Sequence, residues 1–186
     1  SILLHINENF GGVLSEAMMT GRMDMALLYD AGPIKGVTFE RLLTEELMVV
    51  APAGTGLPGE TGGSVTLADL EEVSLLLPGR MHTIRKVVEA AFENSMTQPK
   101  IVAEVESVTL MAQAVRSGLG ATVIPLSVAR RMMNVQGLEL RRIEPSIEVR
   151  VSLGVPASHS LSAPAEAVRE VLRTVLADYA GSAAGA

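Results

Sequence analysis

Residues 73–125 read VSLLLPGRMHTIRKVVEAAFENSMTQPKIVAEVESVTLMAQAVRSGLGATVIP, and this stretch decides the fold class. Val73 to Leu77 is an apolar run broken by Pro78-Gly79, the pattern of a strand covered on both faces. Ile84, Val87, Val88, Ala91 and Phe92 then recur at i, i+3, i+4, i+7 and i+8, which predicts a helix. Ile101, Ala103 and Val105 alternate with polar residues, so 100–105 reads as a strand. Val108, Met111, Ala112 and Val115 return to helical spacing until Gly118 ends the run. Ala121 to Ile124 is a further strand, stopped by Pro125. The order β-α-β-α-β predicts a parallel-sheet module within one α/β protein.

Working toward the N-terminus, Phe39 to Ala51 reads as one long strand or a bent pair, ending at Pro52. Met25 to Tyr29 is apolar throughout, as for a parallel strand covered on both faces. Gly11 and Gly12 open a helix carrying Val13, Leu14, Ala17 and Met18 on one face and ending at Gly21. Ser1 to Ile6 reads as a short buried strand, so these elements together predict a βαβ unit. Residues 53–64 are poor in core side chains and predict a surface loop, after which Thr66 caps a helical turn with Asp69 three residues on.

Toward the C-terminus a short helix is expected near 126–133, with strands over 138–143 and 147–155. Ser162 and Pro164 open a closing helix that would turn Ala165, Val168, Val171, Leu172 and Val175 inward. A chain that starts one lobe, builds a second and returns makes two crossover strands, hence a hinge. The expected organisation is 1–70 as the first part of lobe I, 71–145 as lobe II, 146–180 as the return to lobe I, and 181–186 as a frayed tail. The abrupt strand-like start at Ile2-Leu3-Leu4 reads as a fragment of something longer.

Composition narrows the function. The 186 residues are 48% hydrophobic and 19% charged, enough for a packed core, and carry a formal charge of −6. That balance opposes a direct grip on phosphate backbones. Aromatics are 3%, so the core must be aliphatic with ten methionines filling irregular space. With no cysteine, disulfides and thiol chemistry are excluded. No apolar run is long enough to cross a bilayer as a helix.

The chemistry of catalysis is sparse. The three histidines, His5, His82 and His159, form no metal-binding spacing, and Glu45-Glu46 and Glu71-Glu72 read as solvated charge because adjacent residues point apart. No nucleophile elbow or phosphate loop is present. No catalytic residue, metal or cofactor is therefore expected. What remains is three helix starts: Asn9 to Gly12, Pro78 to Thr83, and Glu106 to Thr109. Unpaired N–H groups at such starts attract carboxylates and other anions, and in parallel sheets they lie at the carboxyl edge where ligands bind. An alternative stays open: Thr83 and Ser107 can simply cap their own helices.

Three segments in order resemble the effector-binding domain of LysR-type transcriptional regulators: Leu14 to Leu28, Leu42 to Pro52, and Glu104 to Pro125. The closing 147–176 is similar to that family's last strand and helix. The resemblance implies a two-lobed, periplasmic-binding-protein-like (type II) α/β fold with a two-strand hinge. It implies a small-molecule effector, an anion by the helix-start argument, bound between the lobes. It implies self-association as dimers building toward a tetramer, a cytoplasmic location, no membrane partner, and DNA contact only through a winged helix-turn-helix preceding this segment. The first strand and helix of lobe I would also precede it. By matching position, the ligand-binding residues are Phe10, Gly11, Tyr29, Arg80, Met81, His82, Thr83, Ser107 and Val108.

Plainer roles compete for these residues. Tyr29 can be a strand-end aromatic, Phe10 a hydrophobic staple and Arg80 a solvated charge, while Arg85 pairs with Glu89 at i+4. Leu77 to Arg85 resembles the nitrogen-assimilation-control subgroup, which implies that an inducer is not always needed. Rival functions are a solute-binding protein serving a transporter and a dehydratase of prephenate-like substrates, for which His82 is the one candidate acid or base.

Overall fold

The computed structural model describes residues 2–9, 11–29, 32–54, 57–58, 63–134, 136–158 and 160–183, with side chains described through residue 180. The chain divides into two compact units: residues 1–44 with 150–186, and Glu45–Val149. Residues 45–70, expected with the first lobe, cluster with the second unit because their strand pairs with strands of that unit.

Unit 2 is built on the stretch that opened the sequence reading. Parallel strands β4 (Ser74–Leu77), β5 (Lys100–Glu104) and β6 (Ala121–Pro125) are joined by helices α2 (Thr83–Asn94) and α3 (Val108–Arg116). The strand order β6-β4-β5 places the first strand at the centre. Strand β2 (Val37–Pro52) enters the unit at Glu45 and runs antiparallel to β6, with Met48 opposite Ile124. β7 (Leu138–Ile143) pairs antiparallel with β2 and parallel with the two-residue β3 (Ser64–Val65). Every residue of β6 is buried, as the unbroken apolar run predicts. One core cluster gathers Met48, Val50, Leu76, Ile124 and Leu138 with Met111, Ala112 and Val115 of α3 and Ala129 and Met132 of α4 (Leu126–Met132). Helix α2 buries Ile84, Val88 and Phe92, three of its predicted positions. Gly120 has a packing reason: a Cβ there would lie 2.3 Å from the Ser74 carbonyl oxygen. The Thr66–Asp69 capping box is present, Asp69 Oδ2 accepting from the Thr66 backbone at 2.8 Å and hydroxyl at 2.7 Å.

Unit 1 corrects the sequence reading in three places. Residues 2–9 carry no strand, and Ile2, Leu3, Leu4 and Ile6 are exposed. The apolar run at Ile2 to Ile6 pairs with no strand among the described residues. β1 (Ala26–Tyr29) is not the parallel strand of a βαβ unit. It pairs antiparallel with β8 (Glu148–Pro156), Ala26 opposite Gly154, and Leu27 stays exposed while Ala26 and Leu28 are buried. The third correction is α5 (Ala163–Ala183), which starts where Ser162 Oγ accepts from Ala165 N at 3.3 Å but leaves Val171 and Val175 exposed. Its packed face keeps Ala165, Val168 and Leu172 of the expected set and adds Arg169 and Arg173, from both of which Glu40 of β2 accepts: Arg169 at 3.0 Å, Arg173 at 2.7 and 2.8 Å. The helix continues to Ala183 and residues 184–186 lie outside the described residues. Helix α1 (Gly11–Met19) buries Leu14 and Met18 against Ala26 and Leu28.

Candidate functional site

In unit 2 the loops that follow β4 and β5 lie side by side at the carboxyl ends of parallel strands, and they hold six of the nine candidate residues. After β4 the chain turns at Pro78-Gly79, with His82 N–H donating to Gly79 O at 2.9 Å. Helix α2 starts one residue earlier than a Thr83 cap would require. His82 is the N-cap, its Nδ1 accepting from Ile84 N at 3.2 Å, and Thr83 is the first helical residue, half-buried. An imidazole reaches the second helical N–H as a serine oxygen does. Burial holds the His82 imidazole below the usual histidine range, while the Glu106 carboxylate pulls in the opposite direction. Ser107 is the cap expected for α3, its Oγ accepting from Leu110 N at 3.3 Å, and Val108 begins that helix packed against the core.

Arg85 ties this edge together. It is 3% exposed, donates to Glu89 at 2.7 Å, to the Pro78 carbonyl at 3.1 Å and to Glu104 at 3.4 Å. One guanidinium thus fixes the β4–α2 turn to both α2 and β5, and the i,i+4 pair expected from sequence is part of that fixture. Arg80 is exposed, 3.8 Å from Glu104, and Met81 projects into solvent. A groove of about 910 Å³ is lined by Arg80, Arg85 and Glu89, by Thr97 and by β5 residues including Glu104. It takes in Arg80 but not His82, Thr83 or Ser107.

The remaining candidates belong to unit 1. Gly11 is the first residue of α1, half-buried, its carbonyl accepting from Ser15 Oγ at 2.6 Å. Tyr29 ends β1 opposite Val151, half-buried. Phe10 and His159 lie outside the described residues.

Sequence reasoning missed two acidic features. Glu45 is not a solvated charge: it is 6% exposed and Oε2 accepts from Ser127 Oγ, at the start of α4, at 3.0 Å. The signal was available in the strand alternation of β2, whose inward positions from Leu43 onward include residue 45. Glu106 accepts from Gly79 N at 3.2 Å. Among the described residues no cluster of histidine and acidic side chains could hold a metal ion, and no helix is long and apolar enough to cross a membrane.

Residues 1–177 match the profile of the LysR substrate binding domain. The chain is 35% identical over 176 residues to the nitrogen assimilation regulatory protein nac of Escherichia coli (strain K12), covering 94% of this chain and 56% of that protein; the Klebsiella aerogenes protein of the same name matches equally. This chain therefore spans about half the length of the curated relatives it matches. Among solved structures, the reduced OxyR regulatory domain of Pseudomonas aeruginosa is 26% identical with a TM-score of 0.77, over 92% of this chain and 81% of that one. The BenM effector binding domain with its effector benzoate shares the fold at 21% identity and a TM-score of 0.76, over 93% and 78%. The two-lobed, periplasmic-binding-protein-like α/β class read from the sequence is the fold of these neighbours.

Proposed function

The chain belongs to the LysR substrate binding domain family, and from that premise we propose that it is the effector-sensing part of a LysR-type DNA-binding transcription regulator. The observation that carries the reading is the family match over residues 1–177, supported by relatives named as regulators and by solved neighbours named for bound effectors. In this reading the residues that a small metabolite meets are drawn from Arg80, Met81, His82, Thr83, Ser107 and Val108, with Phe10, Gly11 and Tyr29. The chain self-associates in the whole regulator, and its lobes change angle on binding. DNA is reached through a helix-turn-helix elsewhere in that protein, in the cytoplasm, and the domain performs no catalysis. A ligand shifts such an equilibrium only by its differential affinity for the two arrangements.

A thermal-shift screen of this chain against small carboxylates, amino acids, amines and aromatic acids tests the reading. A hit that raises Tm with concentration supports effector sensing, since binding the native state alone stabilises it. Thr83→Ala and Ser107→Ala should then each weaken that hit by about 1–2 kcal/mol. Unchanged binding in both removes the residue assignment. A flat screen favours a second reading, an oligomerisation domain that works without inducer, which the resemblance of Leu77 to Arg85 to the nitrogen-assimilation-control subgroup supports.

A further inference from the structure

The turn after β4 and the end of β5 meet through a carboxylate, and that contact bears on the class of molecule this edge accepts. Beyond Glu104 the chain stays extended, Val105 N–H donating to Leu77 O at 2.9 Å. Glu104 and Glu106 are two residues apart along an extended segment, so both project to the same side. That side holds Gly79, whose buried N–H donates to Glu106 Oε1 at 3.2 Å. A Cβ on residue 79 would sit 2.3 Å from that same oxygen and 3.7 Å from Glu104 Oε2. Glycine at 79 is therefore what admits the carboxylate.

The two acids differ in their compensation. Glu104 has Arg85 at 3.4 Å and Arg80 at 3.8 Å, whereas Glu106 makes no ion pair among the described residues. Its charge is felt by His82, the cap of α2 three residues past Gly79. The helix-start argument expects an incoming anion here, but the protein's own chain already supplies one.

Resting on the effector-domain reading above, we propose that Glu106 is a tethered carboxylate that fills the anion position beside Gly79, so that an effector reaching this edge presents a neutral or cationic group there. A second anion must displace Glu106 or accept its charge at close range, in a turn where both arginines are already engaged. This narrows the anionic effector expected from the Pro78 to Thr83 segment at its Gly79 end, ahead of the α2 cap at His82.

Sulfate titration followed by amide NMR tests the role without an effector in hand. In the parent chain the Gly79 amide should show no saturable response to sulfate beyond that to sodium chloride at matched ionic strength. Glu106→Gln and Glu106→Ala should each create a saturable Gly79 shift, with sulfate affinity raised about tenfold or more. Because Glu106 is exposed, both variants should keep the parent's amide dispersion, and either one suffices for the comparison. A parent chain that already saturates with the variants' affinity, or variants that stay as flat as the parent, overturns the proposal. Either result leaves the effector-domain reading standing, since its failure would show in the thermal-shift screen.

Discussion

Unit 2 and unit 1 are made from the same aliphatic vocabulary, yet unit 2 assembles it from neighbouring segments and unit 1 from distant ones. Unit 2 draws its parallel strands and two crossover helices from the contiguous stretch 73–125, with β2 completing a cluster of ten buried residues. Unit 1 pairs Ala26 with Gly154 and gathers a cluster of four buried residues, Leu14, Met18, Ala26 and Leu28. Its closing helix is held at Glu40 through Arg169 and Arg173, while Val171 and Val175, which periodicity selected, stay exposed. Periodicity reports which side chains could be buried. It does not report which of them find a partner when that partner lies more than a hundred residues away.

The sharpest test of this contrast is removal of a large side chain from each unit. Phe92→Ala in α2 of unit 2, where the ring is fully buried, should cost about 3–5 kcal/mol in urea denaturation. Leu3→Ala, at a residue 99% exposed, should stay within about 0.5 kcal/mol. Equal losses would show that the exposed segment packs in solution and would erase the difference drawn here.

Glycines sharpen the comparison at the next level. Gly120→Ala should destabilise by about 2–3 kcal/mol, because the new methyl would meet the Ser74 carbonyl, which β4 holds in place. Gly154→Ala in unit 1 should cost less, about 1 kcal/mol, because its contacts at 2.8 to 3.2 Å are side-chain ends of Phe39, Met18 and Val37 that can shift. Thermal denaturation of the two variants ranks them, and a larger loss at Gly154 would mean that unit 1 is the more tightly packed.

Glu40→Gln probes how unit 1 holds α5. The hydrogen bonds from Arg173 and Arg169 lower the Glu40 pKa, so its ionised form stabilises the folded chain. The group is partly exposed and solvent screens it, so the expected loss is about 1 kcal/mol and should shrink in high salt. A loss unaffected by salt would point to packing rather than charge.

The smallest effect belongs to His82 in unit 2. Its folded pKa lies below the unfolded value of about 6.5, so the unfolded chain binds more protons between the two. The corresponding stability is fully present above about pH 6.5 and is lost as pH falls through that value toward the folded pKa. Glu40 and Asp69, whose pKa values are lowered from carboxylate values, act only at more acidic pH. Tm should therefore decline between about pH 7 and 5.5 in the parent chain, and His82→Asn, which keeps a capping acceptor, should flatten that decline. An unchanged slope in the variant would remove His82 from the pH response.

The candidate site divides the same way as the fold. The Ser107 cap was readable because a serine before an apolar helical run is a favoured N-cap, and Arg85 because Glu89 stands four residues on. The His82 cap was not: imidazole is an uncommon capping group, and the sequence offered Thr83, one residue on, as the possible cap. Glu106 and Gly79 are 27 residues apart, and their contact exists only because β4 and β5 are neighbours in a parallel pair.

By itself the sequence determined the α/β class, the β-α-β-α-β order of residues 73–125, the helix ends near Gly21 and Gly118 and the strand ends at Pro52, Pro78 and Pro125, and the absence of thiol chemistry, because each follows from neighbouring residues and local backbone preference. Only the tertiary structure decided that β1 runs antiparallel to β8, that Glu45 is buried against Ser127, that α5 turns its arginines toward Glu40, and that Glu106 lies against Gly79. Those are choices of partner across long stretches of chain, set by which strands lie side by side and which charges are left without water, and no local pattern encodes them.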